Sequence, residues 1–191
     1  MEKEILDFVD RITNGLPDIE ARLALFQAIR DFEYCTDGAF DAVGLICVER
    51  GNCLAKSDLL VKSFKTLGYE AQRIRYLYEL PASPSEVELL PSKDDIHSAV
   101  RLKLGSEWIF VDATHDPPLN LQLTVTNWDG INSTQFCYQP KGPIWVDGEN
   151  DQEIQREISR IGKLYEVSDI SHGYMTAFNM WLHYIRTQHI S

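Results

Sequence analysis

Gly105-Ser106 sits between two runs of alternating apolar and polar residues, 96–104 and 107–113, and it restricts the fold more tightly than any other feature of the chain. A two-residue loop of this kind predicts a tight hairpin, and a hairpin fixes a register. Leu104 then faces Glu107, Leu102 faces Ile109 and Val100 faces Val111 on one side of the ribbon. The other side carries Lys103 with Trp108, Arg101 with Phe110, Ala99 with Asp112 and His97 with Thr114. A slip of one residue would exchange the faces, and the apolar match of the first side argues against a slip.

The segments before the hairpin read as helices. Ile5, Leu6, Val9 and Ile12 recur at helical spacing over 3–13, which stops at Asn14-Gly15. A second helix is expected from about Pro17 to Glu33, with Pro17 in its first turn, and a third over 39–49. The segment 53–67 is the most regular. Cys53, Leu60, Phe64 and Leu67 share one helical sector, while Asp58, Lys62 and Lys65 occupy the opposite one. Asn52 is the expected N-cap and Gly68 the expected stop. Cys53 would thus lie in the first turn, facing inward, with Gly51 allowing a tight turn and close approach of substrate.

After Gly68 the pattern turns to strands: 69–78, the hairpin, 119–127 and one more over 136–146. Helical patterns close the chain near 149–165 and 169–187. Helices, then a mostly antiparallel sheet, then helices describe an α+β fold. We expect one domain over 1–191, with a core of about 17–147 and a C-terminal helical region of about 149–191. The loop 81–95 holds Pro81, Pro84 and Pro91 and is expected to be a lid or a solvated connection.

His97 and Asp112 are diagonal neighbours in this register, about 7–8 Å apart at the backbone and within side-chain reach. The carboxylate would orient the imidazole and stabilise its protonated form. A thiol at a helix N-terminus supplies the nucleophile that such a dyad needs, since both the helix end and an imidazolium favour thiolate.

The residues that carry this chemistry also resemble a known family. Gly51-Asn52-Cys53-Leu54-Ala55, the helix end Leu67-Gly68-Tyr69-Glu70-Ala71, and Glu107-Trp108-Ile109-Phe110-Val111-Asp112-Ala113-Thr114 are similar, in that order, to motifs of the transglutaminase-like superfamily. The resemblance covers about 30–116 and implies a papain-like core. By it Cys53 is the nucleophile, His97 the general acid/base and Asp112 the orienting acid. It departs from the family at Ser98-Ala99-Val100, where an aromatic residue is common, and no Trp precedes Cys53 to serve as an oxyanion donor. The Cys53 backbone N–H is the expected oxyanion donor, with Tyr34 a second candidate by position alone.

Each residue has a duller alternative. His115 is the rival base, although alternation turns it away from Asp112. Asp116, ahead of Pro117-Pro118, is expected to shape a turn. Cys35, Cys47 and Cys137 read as thiols without a role, and Asp94-Asp95 as a solvated loop. His172, His183 and His189 are expected to pack within the C-terminal helices, and Trp108 and Phe110 beneath the helix bearing Cys53.

The expected function is thiol-dependent acyl hydrolysis of a peptide, protein or small amide. Transfer to an amine, or protein deamidation, is the alternative reaction, and an inactive binding module on the same fold is the alternative class. A formal charge of -11 and the lack of a Lys/Arg run argue against nucleic acid as a partner. No stretch approaches the roughly 20 apolar residues that a membrane span requires. No export signal is visible at Met1-Glu2-Lys3-Glu4, so a cytoplasmic location with free thiols is expected. No ligand spacing suggests a metal or cofactor.

Overall fold

The computed structural model describes residues 2–165 and 170–188. Helices α1 (Lys3–Thr13) and α2 (Asp18–Arg30) pack through Ile5, Phe8, Val9, Leu25, Phe26 and Ile29, all buried. Pro17 is the cap residue before α2 rather than part of its first turn. Strand β1 (Glu33–Ala39) follows, then α3 (Ala42–Val48) and the two-residue strand β2 (Arg50–Gly51), which pairs with β1 in parallel. The expected helix over 39–49 is therefore shorter than predicted, and β1 precedes it.

Helix α4 (Cys53–Thr66) runs as expected. The Asn52 Oδ1 atom accepts the Ala55 amide at 3.1 Å, which caps the N-terminus. At the other end Gly68 takes φ +89, its amide donates to Lys65 O, and the Tyr69 amide donates to Phe64 O. These two bonds form a Schellman stop, closed by the Phe64–Tyr69 ring contact.

The main sheet is antiparallel, in the order β5 (Glu107–Val111), β4 (Asp94–Leu104), β3 (Ala71–Glu79), β6 (Trp145–Val146). The hairpin register is the one read from Gly105-Ser106, with Leu104 facing Glu107 and Val100 facing Val111. Gly105 supplies the positive φ, +61, that the first loop residue needs. Val100, Leu102, Val111 and Ile109 pack with Leu60 and Phe64 of α4 in one core cluster. Trp108 and Phe110 lie on the opposite face, which corrects the expectation that they pack beneath the thiol helix. Trp108 is 39% exposed under Arg101 and Lys103, and the Phe110 ring meets that of Phe136 at a tilt of 47°.

Two expected strands are replaced by irregular chain. Over 119–127 there is a 3-10 turn, Pro117–Leu121, and Leu123 donates its amide back to Leu119 O. Within 136–146 only Trp145 and Val146 pair with the sheet; Pro140 and Pro143 have no amide to give a ladder. The loop between β3 and β4 is neither open lid nor bare connection. A 3-10 turn, Ser85–Leu89, buries Val87 in the second core cluster, and Leu80 N bonds Lys93 O across the loop base. Helices α5 (Asp151–Tyr165) and α6 (Ile170–Gln188) complete the described chain, with Phe178, Leu182 and Ile185 of α6 in that second cluster. Among the described residues no helix is long and apolar enough to cross a membrane.

Candidate active site

Three elements converge at the site: the start of α4, the start of β4 and the chain leaving β5. Cys53 is the first residue of α4, where geometry leaves amides without an intrahelical acceptor. Gly51, two residues earlier, is needed for close approach rather than for an unusual φ. A Cβ there would lie 2.9 Å from the Ala39 carbonyl oxygen and 3.3 Å from the Ala55 methyl.

His97 is 0% exposed, enclosed by the rings of Tyr76, Tyr78 and Tyr138 at centroid distances of 5.2, 5.9 and 5.1 Å. Its Nε2 lies 2.8 Å from Asp112 Oδ2. A carboxylate accepts, so Nε2 carries the proton in this pair. Asp112 is itself held by several donors. Thr114 gives its amide and its hydroxyl to Oδ1 at 3.1 and 2.6 Å, and the Cys137 amide approaches Oδ2 at 3.3 Å. The backbone of Asp112 donates to Thr134 Oγ1 and accepts from the Thr126 hydroxyl. Ladder pairing ends at Val111, one residue before Asp112, so side chains from 126–137 do the holding that the sheet no longer does.

The electrostatics follow from burial and charge together. Burial alone would depress the His97 pKa, but the Asp112 charge, its hydrogen bond and the Cys53 thiol overcome that and raise it to about 10. Burial alone would raise Asp112; His97, the two Thr114 bonds and His115 bring it down to about 2. The other ring nitrogen of His97, Nδ1, is buried and meets no hydrogen-bond partner of good geometry among the described residues. Cys53 is near enough to raise the ring's pKa through its charge and a looser hydrogen-bond contact. The thiol and the ring are thus neighbours, and Nδ1 is the atom left to serve a reacting group.

The cleft at Cys53 encloses about 280 Å³ and is lined by Tyr34, Arg75, Tyr78, Asp95 and Ser98 among others. A larger cavity of about 620 Å³, between β1 and α6, contains no thiol. Tyr138 and His115 form a directed pair behind the cleft. His115 Nδ1 lies 2.8 Å from Thr124 O, an acceptor only, so Nδ1 donates and Nε2 accepts from the Tyr138 hydroxyl at 2.9 Å. Tyr34 lines the cleft beside them, and burial together with Tyr138 holds its pKa well above the ordinary value.

His115 is buried, with its pKa pushed down to about 4 by burial against the Thr124 carbonyl bond and Asp112. Both nitrogens are occupied by Thr124 and Tyr138, so it is not a rival base in this geometry. Asp116 does more than shape a turn: it accepts Arg186 through both oxygens at 2.8 and 2.7 Å and the Tyr34 amide at 2.8 Å. Asp94 and Asp95 begin β4 rather than forming a solvated loop. His172 and His183 are exposed on α6 rather than packed; His189 lies outside the described residues. Cys35 and Cys137 are buried and Cys47 is exposed.

Sequence reasoning missed Lys56, Arg186 and the donors around Asp112. Lys56 is buried and gives its three ammonium protons to Arg30 O, Phe32 O and Thr114 O at 2.9, 2.5 and 2.8 Å. It clamps the first turn of α4 to the segment that carries Asp112. Only Thr114 left a readable signal: an Asp followed two residues on by a hydroxyl residue is an Asx-turn pattern.

No protein-family model and no curated protein sequence matches this chain. Several solved structures are similar to it, among them the following three. One, described as a candidate cysteine protease from Cytophaga hutchinsonii, shares 18% identity at a TM-score of 0.44, over 76% of this chain and 48% of its own. A TGase shares 14% identity at a TM-score of 0.43, over 60% of this chain and 32% of its own. Legionella pneumophila LapG shares 12% identity at a TM-score of 0.44, over 84% of this chain and 85% of its own. The chain thus spans about half the length of the first and about a third of the second. The fold is α+β with an antiparallel sheet, and the chemistry open to the cleft rests on its own geometry.

Proposed function

We propose that the chain is a thiol-dependent acyl hydrolase, a peptidase or amidase, with Cys53 as nucleophile, His97 as general acid/base and Asp112 as the residue that orients His97. The observation that carries this reading is the buried His97 ring, fixed through Nε2 by Asp112 while Nδ1, with no other partner among the described residues, is left to Cys53. A histidine kept only for packing would be expected to satisfy both nitrogens, as His115 does.

In the reaction, the Cys53 thiol gives its proton to His97 Nδ1, and the sulfur attacks the carbonyl carbon so that a C–S bond forms while the C=O π pair moves to oxygen. Amides at the α4 N-terminus stabilise that oxyanion. As the tetrahedral species collapses, His97 Nδ1 passes its proton to the leaving amine and a thioester remains. Water then gives a proton to Nδ1 and adds to the thioester carbon; the C–S bond breaks and releases the acid. Asp112 keeps its charge throughout and stabilises the imidazolium. We extend the proposal to one domain over 1–191, since Arg186 ties α6 to Asp116 and to Tyr34 O.

Iodoacetamide at mildly acidic pH, read by peptide mapping, should label Cys53 far faster than exposed Cys47; equal rates would overturn the nucleophile assignment. Cys53→Ala should abolish hydrolysis of model peptides while leaving the circular dichroism spectrum intact. Adding a primary amine to the same assay separates hydrolysis from transfer.

A further inference from the structure

Beside the Cys53 cleft lies a second cavity of about 370 Å³, walled by Leu80, Ile161, Tyr165, His172 and Tyr174. It shares Asp95 and Met175 with the cleft, so the two spaces meet at those residues. Its walls come from α5, α6 and the start of β4.

Asp95 is the unusual member. Its neighbour Asp94 is paired with Lys141 at 2.5 Å and Arg160 at 3.4 Å. Asp95 has neither kind of partner among the described residues: it accepts only the Ile96 amide at 2.8 Å and the Tyr78 hydroxyl at 3.3 Å. Arg75, the guanidinium in the cleft, is held through two bonds by Asp147, at 2.8 and 3.0 Å. Asp147 also takes Arg73, so its single carboxylate is shared between two guanidinium groups. Burial pushes the Asp95 carboxyl up from its ordinary value by more than the Ile96 amide, the Tyr78 hydroxyl and the His97 charge bring it down, so a cation bound there would favour its ionised form. A second, independent vacancy lies in the same cavity: the Tyr174 hydroxyl is buried and makes no hydrogen bond among the described residues.

The geometry points to a specificity pocket for an aliphatic cation, a lysine-type ammonium on a hydrocarbon stem, with Asp95 as its counter-ion. The apolar walls and two tyrosine rings suit the stem and the cation face. The ammonium would pair with the Asp95 carboxylate and donate to the Tyr174 oxygen, so each unmet group gains a partner. An anionic group would meet Asp95 as a like charge, and an apolar one would leave that carboxylate desolvated without compensation. The inference rests on the proposed reaction at Cys53, because it identifies the class of substrate that the cleft selects. The cation could be a side chain of the acyl donor or a free alkylamine.

The test uses the full chain and methanethiosulfonate reagents that differ only in charge: cationic aminoethyl, neutral methyl and anionic sulfonatoethyl. Rates at Cys53 and Cys47 are read by peptide mapping. The cationic-to-neutral rate ratio at Cys53 should exceed that at Cys47, and Asp95→Asn should lower it about tenfold. An unchanged ratio in Asp95→Asn, or an anionic reagent that reacts fastest, overturns the pocket. If Asp95→Asn fails to fold, the wild type alone suffices: N-acetyl-lysine methylamide should protect Cys53 from iodoacetamide better than N-acetyl-norleucine methylamide, and equal protection overturns the inference. Stronger protection by butylamine than by the lysine amide makes the cation a free acceptor; the reverse makes it part of the acyl donor. Failure of the nucleophile assignment appears separately, as a neutral-reagent rate at Cys53 no greater than at Cys47.

Discussion

Replacing Lys56 by Met tests how the first turn of α4 is held. Methionine keeps most of the stem volume and removes the ammonium. Three backbone carbonyls, of Arg30, Phe32 and Thr114, lose their donor. Bonds from a charged donor are worth about 1.5–3 kcal/mol each, or roughly 4–9 kcal/mol for three. Against this stands the cost of burying the charge. Burial lowers the Lys56 pKa from 10.5 to about 8 despite the attraction of Asp116, a cost of about 3 kcal/mol. The variant should therefore lose about 3 kcal/mol of unfolding free energy near neutral pH. The sign of the pH dependence is a sharper test. The native state binds the Lys56 proton less tightly than the unfolded chain, so stability from this group rises as pH climbs through about 8 toward 10.5. The gap between wild type and Lys56→Met should widen by about 2 kcal/mol between pH 7.5 and 9.5. Urea unfolding followed by tryptophan fluorescence measures both quantities. A variant within about 0.5 kcal/mol of wild type, with a gap that does not move with pH, would refute the reasoning.

Asp112→Asn should give the opposite pH trend. The pair favours protonated His97, so its stabilisation is present below pH 6.5 and lost as pH rises through about 10; on the acid side it is lost as pH falls from 3.8 toward about 2. Urea unfolding at pH 7 and pH 10 should show the wild-type advantage shrinking, and a constant gap would count against the pairing. Leu102→Ala, in the core under α4, should cost about 2–5 kcal/mol, whereas Trp108→Ala on the opposite face should cost about 1 kcal/mol or less. Equal thermal shifts for the two would contradict the assignment of faces. Gly51→Ala should cost about 1–3 kcal/mol and slow Cys53 alkylation, because its methyl must displace the Ala39 carbonyl; an unaltered alkylation rate would show that the turn does not set the thiol.

The residues that define the dyad were readable because a short loop fixes a register and a register fixes faces. Gly105-Ser106 alone puts His97 and Asp112 on one side, and the bond between them forms just past the last paired residue. The supposed strand at 119–127 failed for a definite reason. Leu119 and Leu123, both buried, are four apart, a spacing that satisfies period two and one helical turn alike. Leu121, which would decide between them, is 56% exposed. β1 was invisible because its partner, β2, is only two residues long and lies beyond α3. The groups that immobilise Asp112, the Thr126 hydroxyl and Cys137 amide as donors and the Thr134 hydroxyl as acceptor, lie in irregular chain with no period to read. Lys56 and Arg186 look from sequence like any surface cation; only the carbonyls and carboxylate they meet reveal them.

The fork of Arg186 grips Asp116 and the carbonyl of Tyr34 at once, joining the far end of the described chain to a wall of the reactive cleft. The end of α6 is consequently a keystone: shorten the polypeptide before that arginine and the wall loses its brace, although some 150 positions separate the two along the backbone.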